Sequence, residues 1–222
     1  MDSYVIKKTA GEIDPAADWD ASVWDRAEAA LIGNVWHTST HTPEVWVKLM
    51  YSDKGFHCMF LVNDKYVRSV NRGYNQSVCQ DSCVEFFFQP FGAGPYFNFE
   101  FNCGGAVLAW YIRDCTRVKG KGFADFTMLK DSELDQLKIF HSMPETVEPE
   151  ISGDIQWRLG FFLPFSVLEN YTGALGDLTG TQWRANFYKC GDKTSHPHWL
   201  SWRPVSKLNF HLPECFGVIE FE

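Results

Sequence analysis

Residues 83–102 alternate so regularly that they constrain the local fold to a β-hairpin with one apolar face and one face carrying two glutamates. Val84, Phe86 and Phe88 alternate with Glu85, Phe87 and Gln89. After the turn Pro90-Phe91-Gly92-Ala93-Gly94-Pro95, Phe97, Phe99 and Phe101 alternate with Asn98, Glu100 and Asn102. A turn symmetric about Gly92 and Ala93 sets Glu85 opposite Glu100, and Phe86 opposite Phe99 on the other face. Like charges opposed across a strand pair repel. Two carboxyl groups beside two asparagines over a phenylalanine layer therefore point to a site for hydroxyl groups, a cation or a shared proton. The alternative is a solvated outer face.

The 222 residues suit one all-β domain spanning 1–222. Nine Trp and nineteen Phe supply a two-layer core and leave rings for recognition. A net charge of −8 argues against nucleic acid and anionic membranes as partners. No basic segment runs into an apolar stretch after Met1, and no run reaches membrane-spanning length. The seven cysteines include Cys58, Cys83 and Cys103 within apolar strand patterns, where a reduced thiol acts as a small hydrophobe. The expected location is cytoplasmic for a complete chain, and secreted or cell-surface if a signal peptide has been removed.

Along the chain, an entry segment anchored by Trp19 and Trp24 precedes a hairpin of Val45–Tyr51 and Gly55–Val62, turned at Ser52-Asp53-Lys54-Gly55. After the glutamate hairpin, Gly104-Gly105 leads into a strand over 106–112. Residues 113–152 read as a long excursion with one strand near Leu137–His141. Strands follow at 155–163, 182–189 and 216–221, with a short helical turn at 164–169. Many short strands with Gly/Pro punctuation predict a β-sandwich with long loops and at most short helical turns.

Asp81-Ser82-Cys83-Val84-Glu85, Tyr96-Phe97-Asn98-Phe99-Glu100, Trp183-Arg184-Ala185-Asn186-Phe187-Tyr188, Ser201-Trp202 and Phe210-His211-Leu212-Pro213-Glu214-Cys215-Phe216-Gly217 occur in this order after Gly11-Glu12-Ile13 and Trp24. Together they resemble the family 9 carbohydrate-binding modules. The resemblance implies an immunoglobulin-like β-sandwich that binds sugars such as xylan or glucan oligosaccharides, is often attached to a glycoside hydrolase (a xylanase), and in some members holds structural calcium. In the family two Trp rings clamp a terminal sugar. At the matching positions this chain has Val78 and Phe210. The family's acidic residue matches Glu85, its Arg position holds Glu100, and its Asn matches Asn102.

The expected sugar-binding set is therefore Glu85, Glu100, Asn102, Phe210, His211 and Trp202, with no catalytic or metal-ligating residue. Trp46, Trp110 and Tyr74 are further rings that could replace the missing clamp wall. Asp14, Asp18, Asp20, Asp25, Asp53 and Asp64 offer oxygens for a structural calcium, without a twelve-residue calcium loop. Cys190-Gly191-Asp192 with His196-Pro197-His198 holds zinc-type donors, yet lacks paired Cys-x-x-Cys and reads as an ordered loop. The sequence admits two alternatives to sugar binding. Glu85 and Glu100 could serve as the carboxyl pair of a glycosidase. A DOMON-like, haem-binding electron carrier could use Met50 or Met59 with His196, His198 or His211.

Overall fold

The computed structural model describes residues 3–222, and its strands fall into two sheets that share one strand. That strand is β1 (Tyr4–Lys8): Tyr4–Ile6 pair in parallel with β14 (Gly217–Phe221), while Lys7 and Lys8 pair with β4 (Glu44–Ser52). From β14 the first sheet continues through β12 (Gln182–Cys190), β6 (Cys83–Gln89), β7 (Tyr96–Asn102), β8 (Val107–Val118) and β9 (Gly122–Met128). From β4 the second continues through β5 (Gly55–Ser69), β11 (Val147–Pro164) and β10 (Lys138–His141). Short strands β2 (Ala29–Leu31), β3 (Asn34–Val35) and β13 (Trp199–Ser201) pair onto β4, β13 and β12 respectively. Two short helices, α1 (Asp131–Leu134) and α2 (Phe165–Thr172), add Leu134 and Phe165, Val167 and Leu168 to the core.

The core forms because each sheet turns one alternating set inward. Phe86, Phe88, Phe99 and Phe187 of the first sheet meet Phe56, Phe60, Trp157 and Phe161 of the second, all fully or almost fully buried. Phe56 meets Phe86 edge-on at 5.6 Å, and Phe101 stacks on Phe161 at 4.6 Å. The hairpin register is the expected one: Glu85 pairs with Glu100 and Phe86 with Phe99.

Residues 113–152 differ from the expected excursion. β8 runs on to Val118, turns at Gly120 and Gly122 in the left-handed region, and returns as β9 at the sheet edge. The apolar pattern is weak there because an edge strand buries few side chains, so periodicity does not betray it. β1 escaped for another reason: its five residues are too few to show a period.

Candidate functional site

The outward face of the first sheet is covered, not solvated. Phe87, Tyr96, Ile112, Phe123, Tyr188 and Phe216 form a second apolar cluster there, roofed by the segment after β13 that includes Val205 and Phe210. A third, smaller cluster of Val78, Cys83, Ala106, Leu108 and Cys190 lies beside it. Between these clusters opens a cleft of about 320 Å³, whose lining includes Glu85, Glu100, Cys190, Trp199, Phe210 and His211.

β6 and β7 set the two glutamates side by side on the floor. Glu100 Oε1 accepts a 2.8 Å hydrogen bond from Asn98 Nδ2, and Glu85 Oε1 accepts one of 3.1 Å from the Cys190 thiol. Burial raises the pKa of both carboxyl groups, Glu100 to about 7, and the charge of Glu100 raises that of Glu85 further. Neither enters an ion pair among the described residues. Asn98 Oδ1 and Trp110 Nε1, on the same sheet face, are buried without a partner.

The walls are aromatic. Phe210 stacks on Tyr188 at 4.1 Å, and the Tyr188 hydroxyl donates to the Phe210 carbonyl at 3.1 Å, which fixes the ring. Trp199 packs against the cluster containing Val78, and its indole N–H donates to Asp192 Oδ1 at 2.7 Å. His211 Nδ1 bonds the Tyr96 hydroxyl at 2.9 Å; burial holds this imidazole low, at about 3, and hence neutral. Arg117 reaches the cleft from β8, with its guanidinium 4.2 Å over the Phe123 ring.

Four of the six residues expected from the sequence meet here: Glu85, Glu100, Phe210 and His211. Asn102 does not line the cleft. It is fully buried, donates to Asp81 Oδ2 and the Asn71 carbonyl, and accepts from Ala106 N–H, so it secures the loop after β7. Trp202 packs into the sandwich interior against Tyr4 and Phe187, at 5.9 and 5.6 Å. Adjacent residues of a strand face opposite ways: Ser201 pairs with the outward-facing Tyr188, and Trp202, the next residue, turns inward. Val78, at the missing clamp position, is fully buried.

Trp199, Asp192 and Arg117 were not expected at the site. Trp199 pairs with Cys190, the outward-facing end of β12, but a three-residue strand carries no readable alternation. Arg117 reaches the cleft through the irregular register of β8, which only the folded sheet reveals.

The other ligand sets do not assemble. Met50 and Met59 pack with Ile13 and Trp24 outside the second sheet, whereas His211 lies outside the first, so neither methionine faces His211 across a haem. His198 bonds Lys189 at 2.6 Å, and His196 stacks on Tyr66 at 3.7 Å, so neither joins Cys190. Among the carboxylates considered for calcium, Asp18 pairs with Arg158, Asp53 with Lys8, and Asp64 with Lys189 and His41.

The profile of carbohydrate-binding family 9 matches residues 21–221. A protein of known crystal structure from Bacteroides uniformis is 30% identical, the match covers 99% of both chains, and the two superpose with a TM-score of 0.85. A family 9 module from Caldicellulosiruptor kristjanssonii, solved with glucose and with cellotriose, shares the fold at 13% identity and a TM-score of 0.64; the matches cover 100% of this chain and 96% and 94% of the module. No curated protein sequence matches. With the profile spanning both sheets, the chain belongs to carbohydrate-binding family 9.

Proposed function

We propose that this chain binds a short β-glucan or xylan oligosaccharide in the cleft over Glu85 and Glu100. One observation carries the reading: buried hydrogen-bonding carboxyl groups lie between two aromatic walls, Trp199 and Phe210. Such walls suit the C–H faces of a pyranose, and carboxyl groups and a guanidinium suit its hydroxyls. Arg117 supplies the charged donor that the resemblance places at the position of Glu100. The glucose and cellotriose complexes of the Caldicellulosiruptor module support the ligand class. On this reading the chain works beside a glycoside hydrolase that cleaves the same polysaccharide.

Calorimetry with glucose, cellotriose and xylotriose tests it. The expected Kd lies between ~10 µM and ~1 mM, or about −4 to −7 kcal/mol, as one ring and a few polar bonds allow. Trp199→Ala or Phe210→Ala should weaken binding by about tenfold or more, since a stacked ring contributes on the order of 1 kcal/mol or above. Absence of heat with all three sugars, or full binding by both variants, would overturn the site. Release of glucose from cellotriose during the titration would replace binding by the glycosidase reading.

A further inference from the structure

The floor of the cleft has a second chemistry that sugar binding does not use. Cys83 and Cys190 are direct partners across the β6–β12 ladder, on the same face as Glu85. Their sulfurs and a Glu85 carboxyl oxygen all lie within 4.8 Å of one another. The Cys190 sulfur is 3.1 Å and the Cys83 sulfur 4.0 Å from Glu85 Oε1. All three side chains are buried, while Glu85 and Cys190 also line the cleft, which gives an entry path.

We propose that Cys83, Cys190 and Glu85 bind a divalent ion of the zinc class, with its fourth position turned to the cleft. Three arguments converge. Tetrahedral zinc with bonds of ~2.3 Å to sulfur and ~2.0–2.2 Å to oxygen holds its ligand atoms ~3.5–3.8 Å apart, so the three groups need shift by only about 1 Å. The strand register presets this approach. Next, Glu85 and Glu100 share a buried floor with no ion-paired base among the described residues, and a cation supplies the missing charge. Finally, two sulfur donors select a thiophilic ion over calcium or magnesium, which take oxygen shells.

The balance is simple. Each thiol, and the Glu85 carboxyl group where it carries a proton, releases that proton to solvent as it binds, so one dication meets three anionic ligands. No electron transfer is involved. Both thiols must lose a proton to bind the ion, so affinity should increase with pH.

The test uses the full chain, reduced with a phosphine, stripped with chelator and titrated with cobalt(II) in the absence of sugar. Expected are one equivalent bound, a thiolate-to-cobalt charge-transfer band of two-thiolate intensity, and loss of that band when zinc is added. Cys83→Ser and Cys190→Ser should each lower the band to one-thiolate intensity or abolish it, and Glu85→Gln should weaken affinity at least tenfold. Cys215→Ser, outside the cleft lining, should change nothing. Circular dichroism reports whether each variant folds. If Cys83→Ser fails to fold, Cys190→Ser and Glu85→Gln carry the test. No charge-transfer band in the wild-type chain, or an undiminished band in the folded cysteine variants, would overturn the site. Because no sugar is present, failure here leaves the carbohydrate reading standing, and the converse holds.

Discussion

Glu85 and Glu100 face each other directly across the β6–β7 ladder, and their side chains are only 2% and 7% exposed as whole residues. Two opposed carboxyl groups in such a place are costly to ionise together, because burial and mutual repulsion both favour the protonated form. The pair is thus maintained against the stability of the free fold, as a binding floor would be.

Glu100→Gln should raise the stability of chelator-treated protein at pH 8 by about 1 kcal/mol, since the glutamine carbonyl keeps the bond from Asn98 without the charge. The folded pKa of Glu100, about 7, lies above its usual value of 4.5. The folded state therefore holds the proton longer, and stability declines as pH rises from the lower value through the upper one. At pH 4 the variant should show little gain. Denaturant melts in which Glu100→Gln is less stable at pH 8 would refute the assignment.

Phe86 and Phe99 lie opposite each other on the inward side of the same hairpin, both with no exposed surface. Either alanine substitution should cost ~3–5 kcal/mol through lost burial and a cavity. Glu85→Gln should cost far less. Urea midpoints showing equal losses for the two faces would mean that the inward face is misassigned.

A buried ionic cluster closes one end of the sandwich. Lys189 Nζ lies 3.4 Å from Asp64 Oδ2 and 2.6 Å from His198 Nε2, and both Lys189 and Asp64 side chains are fully buried. Burial alone would raise the Asp64 pKa, but the Lys189 ammonium and the bond from His41 hold it well below the ordinary range. Asp64→Ala should destabilise by ~3–5 kcal/mol because it leaves a buried ammonium uncompensated. Thermal unfolding of the double variant Asp64→Ala/Lys189→Met should recover part of that loss; no recovery would show that the pair is not coupled.

His57 supplies an acid-sensitive element. Its Nδ1 accepts from Ile13 N–H at 3.3 Å, its Nε2 bonds Ser52 Oγ at 3.2 Å, and burial lowers its pKa from 6.5 to about 4. The folded state binds fewer protons than the unfolded chain between these values. The stability due to neutral His57 is therefore complete above about pH 6.5 and falls as pH drops toward 4, by on the order of 2–3 kcal/mol. Chemical denaturation from pH 7 to 4 should show a shallower decline in His57→Gln than in wild type. Parallel curves would exclude this histidine as a source of acid sensitivity.

The sequence by itself determined the sandwich, the family and the floor of the cleft. Long alternating strands such as 83–89 and 96–102 carry their register in their residue pattern, because a slip of one would turn the phenylalanines out of the core. Glu85 opposite Glu100 followed from that pattern and a symmetric turn. Above this floor the resemblance pointed to Phe210 and His211, while the rest of the lining was decided only in the tertiary structure. Short and irregular strands carry no readable period, so the placement of Trp199 on a three-residue strand and the arrival of Arg117 from an irregular strand could not be read locally. The same reason explains Asn102 and Trp202: each sits in a recognisable motif, but its hydrogen-bond partners or packing direction depend on neighbours distant in sequence. Cys83 and Cys190 meet only because β6 and β12 pair, and no spacing within the chain announces a contact between residues so far apart.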